Sequence, residues 1–272
     1  MKKLILLGLM VAFVLLFTAC SEDDNDDNGV EPDIHYAYSL DQFVPAEVFA
    51  NQIIHDEEDD FNWRNLYYFW ALGSDDFSPR MHGYDDLDWN NLQQGYYIPG
   101  LDNRLNFPQF AELNIGAYNV KKMGNVHVYR GVRININDTL NVVFEFNGMP
   151  MEQIENYDGE MENAIALANF IPEHVTALDS ISFTAIDDYT KMYYPEEIEA
   201  GYWLMNSQKT IFPGLDLPGS KKKFKFLMSM QVYGTYQQLE EYINPAMADE
   251  NSTNWSFDFP EDLSNYIGVV WE

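Results

Sequence analysis

The stretch VHVYRGVRININDTLNVVFEFN, residues 126–147, decides the predicted fold class of this chain. In its first half, apolar side chains fall at even positions: Val126, Val128, Val132, Ile134 and Ile136. After Asn137-Asp138, the alternation resumes with Leu140, Val142, Phe144 and Phe146. A period of two residues is typical of a strand with one buried face, and Asn-Asp favours a turn. The stretch therefore predicts a β-hairpin.

The rest of the C-terminal half mixes strands with short helices. The patterns predict strands at Ser180–Ile186, 222–234, 255–259 and 265–271, and helices at Asp158–Phe170, Pro195–Leu204 and 236–243. These elements lack regular βαβ spacing, so we expect an α+β fold with a mostly antiparallel sheet and a few short helices.

The sequence of the N-terminal half is rich in aromatic residues and predicts helices. Val48, Phe49, Ile53 and Ile54 form a helical stripe behind Asp41 and Pro45. An acidic run before residue 61 favours a second helix over 60–72, and residues 73–110 have the composition of long loops. We therefore expect a helical and loop-rich aromatic region at 35–117 before an α+β domain at 118–272.

The first nineteen residues have the layout of an export signal. Lys2 and Lys3 precede the apolar run Leu4–Phe17, and Thr18 and Ala19 stand before Cys20. The stretch resembles a bacterial lipoprotein signal peptide. The resemblance implies that Cys20 is lipidated, with palmitate among its acyl chains, and anchors the mature protein in the outer membrane. The alternative is a cleaved secretory peptide with an incidental cysteine.

Residues 20–34 form an acidic stretch that we expect to be a disordered tether. It begins with Ser21, Glu22, Asp23 and Asp24. The stretch is similar to the export signal of Gram-negative bacteria that display many surface lipoproteins, and it implies exposure at the cell surface.

Composition excludes several classes of function. The chain has 15 Lys and Arg against 44 Asp and Glu, a net charge of −29. Nucleic-acid binding needs clustered cations, so we expect no nucleic-acid partner. Cys20 is the only cysteine, which excludes disulfides and, once lipidated, thiolate chemistry.

One acidic loop has a weak metal-binding pattern. Asp86, Asp88 and Asn90 alternate as ligands do in calcium loops. The EF-hand pattern fails, because Asn91 replaces the required Gly and Tyr97 replaces the required Glu. The alternatives are a weak, irregular calcium site and a solvated acidic loop, and we expect no other cofactor.

Four aromatic residues in loop-like sequence are candidate ligand contacts: Tyr84, Trp89, Tyr96 and Tyr97. Exposed rings beside Asp and Asn suit stacking on sugars or a protein hot spot. The alternative is that these rings belong to the core.

From Asp138 to about residue 260 the chain weakly resembles FKBP-type prolyl isomerases. The similar segments are Asp138–Phe146, Tyr157-Asp158, Ile211–Leu215, Gly219–Phe226 and Tyr233-Gly234. The resemblance implies a pocket lined by Phe144, Tyr157, Asp158, Phe212, Leu215 and Tyr233. Leu215 stands where the family has Trp, and residues 159–210 exceed the usual loop, which puts isomerase activity in doubt.

These observations favour a binding function over catalysis. We expect a surface-exposed outer-membrane lipoprotein that acts as a non-catalytic binding or accessory subunit of an outer-membrane β-barrel complex in transport, secretion or assembly. The alternatives are a divergent peptidyl-prolyl isomerase and a glycan-binding surface lipoprotein.

Overall fold

The computed structural model describes residues 34–46, 48, 62–82, 84–109, 113, 116–138, 140–237 and 255–271. The strands are β1 His35–Ser39, β2 Tyr67–Gly73, β3 Leu87–Asp88, β4 Tyr96–Ile98, β5 Arg104–Asn106, β6 Met123–Ile136, β7 Leu140–Glu145, β8 Glu152–Glu155, β9 Met161–Ala166, β10 Val175–Ala185, β11 Thr190–Tyr193, β12 Tyr202–Leu204, β13 Lys209–Ile211, β14 Leu227–Tyr236, β15 Trp255–Asp258 and β16 Gly268–Trp271. The α-helices of the described residues are α1 Trp89–Gln93, α2 Pro195–Ala200 and α3 Gly219–Lys222.

The strands form three sheets. The first has the order β16-β1-β4-β5 and the third has the order β13-β12-β9-β8. The second, with eight strands, has the order β11-β10-β14-β6-β2-β3, and β7 and β15 also pair with β6. Strands β14 and β6 run parallel, whereas the other pairs are antiparallel. Residues Ile34–Glu272 belong to one compact unit.

The expected α+β class with a helical N-terminal region is wrong, because the protein is mainly β. Strands account for 44% of the described residues and helical segments for 17%. Instead of a helix over 60–72, a short 3-10 turn at Trp63–Leu66 leads into strand β2. Most side chains of β2 are buried on both faces, so its sequence lacks the alternation of a half-buried strand. A short apolar run of this kind cannot be distinguished from a helix by periodicity.

The helix expected at Asp158–Phe170 is also wrong. Strands β8 and β9 pair as a hairpin there, and a 3-10 turn at Leu167–Phe170 follows. Gly159, in the connection, has a φ of +81°, which a glycine adopts without strain. The expected helix Pro195–Leu204 ends as α2 at Ala200, and β12 follows.

The central hairpin is confirmed. Strands β6 and β7 are antiparallel, with Ile136 opposite Leu140. Asn137 and Asp138 both have positive φ, 48° and 58°, a conformation that Asn and Asp tolerate better than most residues. The expected strands near 180–186, 255–259 and 265–271 correspond to β10, β15 and β16. The strand expected at 222–234 begins only at Leu227, as β14, because Lys222 ends helix α3. The residues predicted as helices at 45–54 and 236–243 lie largely outside the described part.

Strand β6 contributes to two hydrophobic cores. Val126 and Val128 belong to the N-terminal core, which also contains Leu40, Phe69, Leu92 and Phe107. Val132, Ile134 and Ile136 belong to the C-terminal core, which also contains Phe144, Phe183, Trp203 and Val232. Arg130 occupies the even position between these two sets. Among the residues described, no helix is long and apolar enough to cross a membrane.

Candidate functional site

An open cleft of about 310 Å³ lies where the eight-stranded sheet meets helix α1. Pockets of this size are large enough to enclose much of a small ligand. We call it the Arg133 cleft, and its lining residues are Asn65, Tyr68, Asp88, Asn90, Arg133, Met228 and Ser229.

Asp88 is held in place by its backbone and by one of its two carboxylate oxygens. It ends β3 opposite Tyr68 and is the N-cap of α1. Its Oδ1 accepts a 2.8 Å hydrogen bond from the backbone N–H of Asn91, and the Asn91 side chain accepts one from the Asp88 N–H. This reciprocal cap leaves Oδ2 directed at the guanidinium of Arg133, at 3.6 Å from Nη2.

Arg133 lies on β6, opposite Ser229 of the parallel strand β14. Its guanidinium carbon lies 5.8 Å from the centre of the Tyr68 ring. The Arg133 and Asp88 side chains remain 38% and 30% exposed. Ion pairs this exposed stabilise a fold by at most about 1 kcal/mol, so both charges stay available to a ligand.

The Tyr68 phenol closes one side of the cleft. Burial raises the pKa of Tyr68, and the positive charges of Arg133 and Arg130 oppose that shift only in part. The phenol therefore stays protonated at neutral pH and can both donate and accept a hydrogen bond.

The cleft lining offers several polar groups that can form hydrogen bonds with a ligand. Its lining supplies a guanidinium, a carboxylate, two side-chain amides, a hydroxyl and a phenol. The lining has a single carboxylate and no histidine. It therefore has neither the two carboxylates of glycoside hydrolysis nor a histidine base for the Ser229 hydroxyl.

The three predicted calcium ligands do not face one point. The Asp86 side chain is 1% exposed and accepts hydrogen bonds from Arg80, at 2.9 Å from Nε to Oδ1, and from the Tyr129 hydroxyl. Asp88 and Asn90 instead line the Arg133 cleft. The described residues contain no group of three or more His, Cys, Asp or Glu that could hold a metal ion. A calcium site stays a prediction.

The four candidate aromatic residues have different environments. Trp89 and Tyr97 are 4% and 5% exposed and belong to the N-terminal core, with Tyr97 stacked on Phe259. Tyr84 is 37% exposed and packs edge-on against Tyr118. Tyr96 is half-buried, 5.8 Å from the ring of Trp271. Only Tyr84 and Tyr96 thus have ring surface available to a ligand.

The residues of the isomerase-like pocket are divided between the interior and the surface. Phe144 and Phe212 are 2% and 1% exposed in the C-terminal core, and half-buried Leu215 packs against that core. The Tyr157 hydroxyl donates to the carbonyls of Thr210 and Lys222. Asp158 and Tyr233 are exposed. Isomerase activity stays a prediction.

Asp158 borders a second, more open pocket of about 410 Å³. At its base, Glu162 accepts hydrogen bonds from Asn156 Nδ2 at 2.9 Å and from Ser207 Oγ and N–H at 2.5 and 3.0 Å. Its carboxylate therefore joins two turns of the chain, and these bonds occupy its oxygens. For this reason we regard the Arg133 cleft as the stronger ligand site.

Sequence reasoning identified Asp88 and Asn90 but missed Asn65, Tyr68, Arg133 and Ser229. The missed signal was the polar half of the alternating pattern in β6, where Arg133 and Asn135 lie on the face opposite Ile134. Cys20, the export residues Ser21, Glu22, Asp23 and Asp24, and the segments 1–19 and 20–33 lie outside the described residues.

No family model, no curated protein and no solved structure matches this chain.

Proposed function

We propose that the protein is a non-catalytic glycan-binding protein whose site is the Arg133 cleft. The observation that carries this proposal is the half-exposed pair of Arg133 and Asp88, 3.6 Å apart and surrounded by amide and hydroxyl side chains. Sugar hydroxyls both donate and accept hydrogen bonds, so they match a lining that mixes donors with acceptors.

The same pair disfavours charged ligands. An anion bound to Arg133 would lie close to the Asp88 carboxylate, and a cation bound to Asp88 would lie close to the guanidinium. Like charges at that separation repel by about 1–4 kcal/mol near a protein surface. An uncharged polyol meets neither penalty, and it can bridge the two groups through adjacent hydroxyls.

The test is binding of the full chain, purified in mild detergent, to soluble polysaccharides in affinity gels and by titration calorimetry. We expect Arg133→Gln to abolish binding of a glycan that the wild-type protein retains. Lys122→Gln is the matched control, because it removes a positive charge from a side chain that is 65% exposed and lies outside the cleft lining. Equal binding by both variants would contradict the proposal.

We further infer that the protein is lipid-anchored in the outer membrane through Cys20 and is displayed at the cell surface. The support is the signal-like stretch 1–19 and the Ser21–Asp24 acidic run. We expect palmitate labelling that Cys20→Ser abolishes, and digestion by protease added to intact cells. Digestion only after lysis would contradict surface display.

A second candidate function, accessory subunit of an outer-membrane β-barrel complex, is favoured by one observation. Strand β16 is an edge of its sheet among the described strands, and Val269 and Val270 are 49% and 58% exposed. Adjacent Ile267 is 79% exposed, and Tyr36, opposite Val270, is 49% exposed. Exposed apolar edges favour pairing with another chain. Stoichiometric recovery of a β-barrel protein, lost in Val270→Lys, would support this candidate.

A further inference from the structure

The polar side of the eight-stranded sheet continues directly from the Arg133 cleft. On strands β11, β10, β14 and β6, the register places one set of side chains on the side opposite the C-terminal core. We call this set the outer face, and its residues are Thr190 and Met192 of β11, Ser180, Ser182 and Thr184 of β10, Ser229, Gln231 and Tyr233 of β14, and Arg133 and Asn135 of β6. Ser229 and Arg133 belong to both the outer face and the cleft.

The outer face contains no acidic residue, although the chain has 44 Asp and Glu. Two acidic residues lie beyond it on the same side of the sheet: Glu145 of β7, which is 1% exposed, and Asp88 of β3 in the cleft. Arg133 is the only charged member of the outer face. The others carry hydroxyl or amide groups, except for the thioether of Met192. A solvated surface of so acidic a protein would normally carry carboxylates, so this composition indicates a surface that suits an uncharged ligand.

The dimensions of the outer face exceed a single sugar ring. Neighbouring strands lie about 4.8 Å apart, so the three steps from β11 to β6 span about 14 Å. Tyr233 and Met192 are 37% and 39% exposed and present apolar surface beside Ser180 and Ser182. Aromatic faces of this kind stack on the C–H side of pyranose rings, while hydroxyl and amide neighbours bond the sugar hydroxyls.

Gln231, in the middle of the face, provides an independent observation. Its amide nitrogen is buried and has no hydrogen-bond partner within the described part of the chain. Buried polar atoms nearly always have a partner, so a donor of this kind is suited to a ligand hydroxyl after rotation of the side chain. It lies between Ser182 and Asn135, its neighbours on the adjoining strands.

The face is less suited to a protein or nucleic-acid partner. Strands β10, β14 and β6 are paired on both sides, so they offer no free backbone for strand addition. The face has one cation and lacks the cluster of large aromatic and Arg anchors found at protein hot spots.

We propose that the outer face forms extended subsites of the Arg133 cleft and that the ligand is an uncharged linear polysaccharide several sugar units long. This inference rests on the proposed glycan-binding function. The chain binds with one unit in the cleft, between Arg133 and Asp88, and with the following units across Gln231 towards Tyr233 and Met192.

The experiment measures the affinity of the full-length protein for hexamers of glucose, mannose and xylose with β1,4 or α1,4 linkages, and for polygalacturonate as a charged chain. For each sugar that binds, the monomer, dimer and tetramer follow. We expect affinity to rise at least tenfold from monomer to hexamer. We expect Tyr233→Ala and Gln231→Ala to lower hexamer affinity about tenfold and to leave monomer affinity unchanged.

Tyr36→Ala is the matched control, because Tyr36 is an exposed tyrosine on β1 of a different sheet. Length-independent binding that survives Tyr233→Ala but not Arg133→Gln would overturn the extended subsites and leave the proposed function standing. Preference for polygalacturonate would overturn the uncharged ligand. Binding that survives Arg133→Gln, or no binding to any probe, would contradict both proposals.

Discussion

The guanidinium of Arg130 donates a 2.8 Å hydrogen bond to the backbone carbonyl of Leu227, a residue 97 positions later in the chain. It also donates to the carbonyls of Leu66, at 3.0 Å, and of Gly131, and it lies 4.7 Å from the centre of the Phe146 ring. Burial lowers the pKa of Arg130 to about 10, so the group is still charged at neutral pH. A single buried cation therefore connects β6 to the segment before β2 and to β14.

We expect Arg130→Met to lower the free energy of unfolding by about 3–5 kcal/mol, because it leaves buried carbonyls without donors. Arg130→Lys should fall between this variant and the wild type, since an ammonium lacks the planar fork of donors. Equilibrium urea unfolding measures the change, with exposed Lys122→Gln as the control. Wild-type stability in Arg130→Met would show that these bonds contribute little.

The buried pair of Arg80 and Asp86 gives a second stability prediction. The two side chains are 12% and 1% exposed, and Arg80 also stacks 4.2 Å from the centre of the Trp70 ring. We expect Asp86→Asn to cost about 3–5 kcal/mol, because a buried cation loses its partner. The double variant Arg80→Met/Asp86→Leu should recover part of that loss. If the double variant instead lost as much unfolding free energy as the two single variants together, the two side chains would not be coupled.

We expect millimolar calcium to leave the melting temperature unchanged, because Arg80 and Tyr129 already occupy the Asp86 carboxylate. Differential scanning fluorimetry with calcium and with chelator measures the difference. An increase in Tm with calcium that is lost in Asp88→Asn would instead establish the calcium site suggested by the Asp86–Asn90 pattern.

The hydrogen bonds of Glu162 predict that its contribution to the stability of the protein is lost in acid. Burial acts to raise its pKa, but hydrogen bonds from Asn156, Ser207 and Asn206 outweigh burial, and the pKa is lowered from its usual 4.5. Its contribution to stability is therefore complete above the unfolded-state pKa and disappears as pH falls through the lower folded-state value. We expect Glu162→Gln to cost about 1–3 kcal/mol at pH 7 and less below pH 4. A pH-independent difference from the wild type in urea unfolding would contradict this account.

The variant Asp88→Asn distinguishes the two roles of Asp88, as the N-cap of α1 and as an acceptor in the Arg133 cleft. Asn is as good an N-cap as Asp, so we expect the free energy of unfolding to change by no more than about 0.5 kcal/mol. Loss of the carboxylate removes an acceptor from the Arg133 cleft, so glycan affinity should fall. A large loss of stability would mean that Asp88 matters mainly through its charge beside Arg133.

The sequence allowed prediction of the strands whose two faces differ in environment. Strands β6 and β7 have one face in the C-terminal core, so apolar and polar residues alternate along them and predicted the hairpin. Strand β2 was mistaken for a helix because it is buried on both faces, and β9 because Ala164 and Ala166 fit either structure. Local pattern carries no information about the neighbouring layers that bury a strand.

The candidate site was predictable only in part. Asp88 and Asn90 were identified as a pair because they are neighbours in the sequence. Asn65, Arg133 and Ser229 join them only through the pairing of β2 and β14 with β6. Trp89 and Tyr97 were read as loop residues, but they fill the N-terminal core between short strands that composition alone did not predict.

The strands that pair with β6 also imply an order of folding, because they lie at different distances from β6 along the chain. Strand β7 directly follows β6 in the sequence and β2 ends 50 positions before it, whereas Asn137 exchanges two hydrogen bonds with Gly234, 97 positions away on β14. Contacts this distant carry a large loop-closure cost and form late in folding. During folding, therefore, the β14 side of β6 stays unpaired until the C-terminal strands have formed. In that interval the unpaired strand edge makes the chain most prone to aggregation.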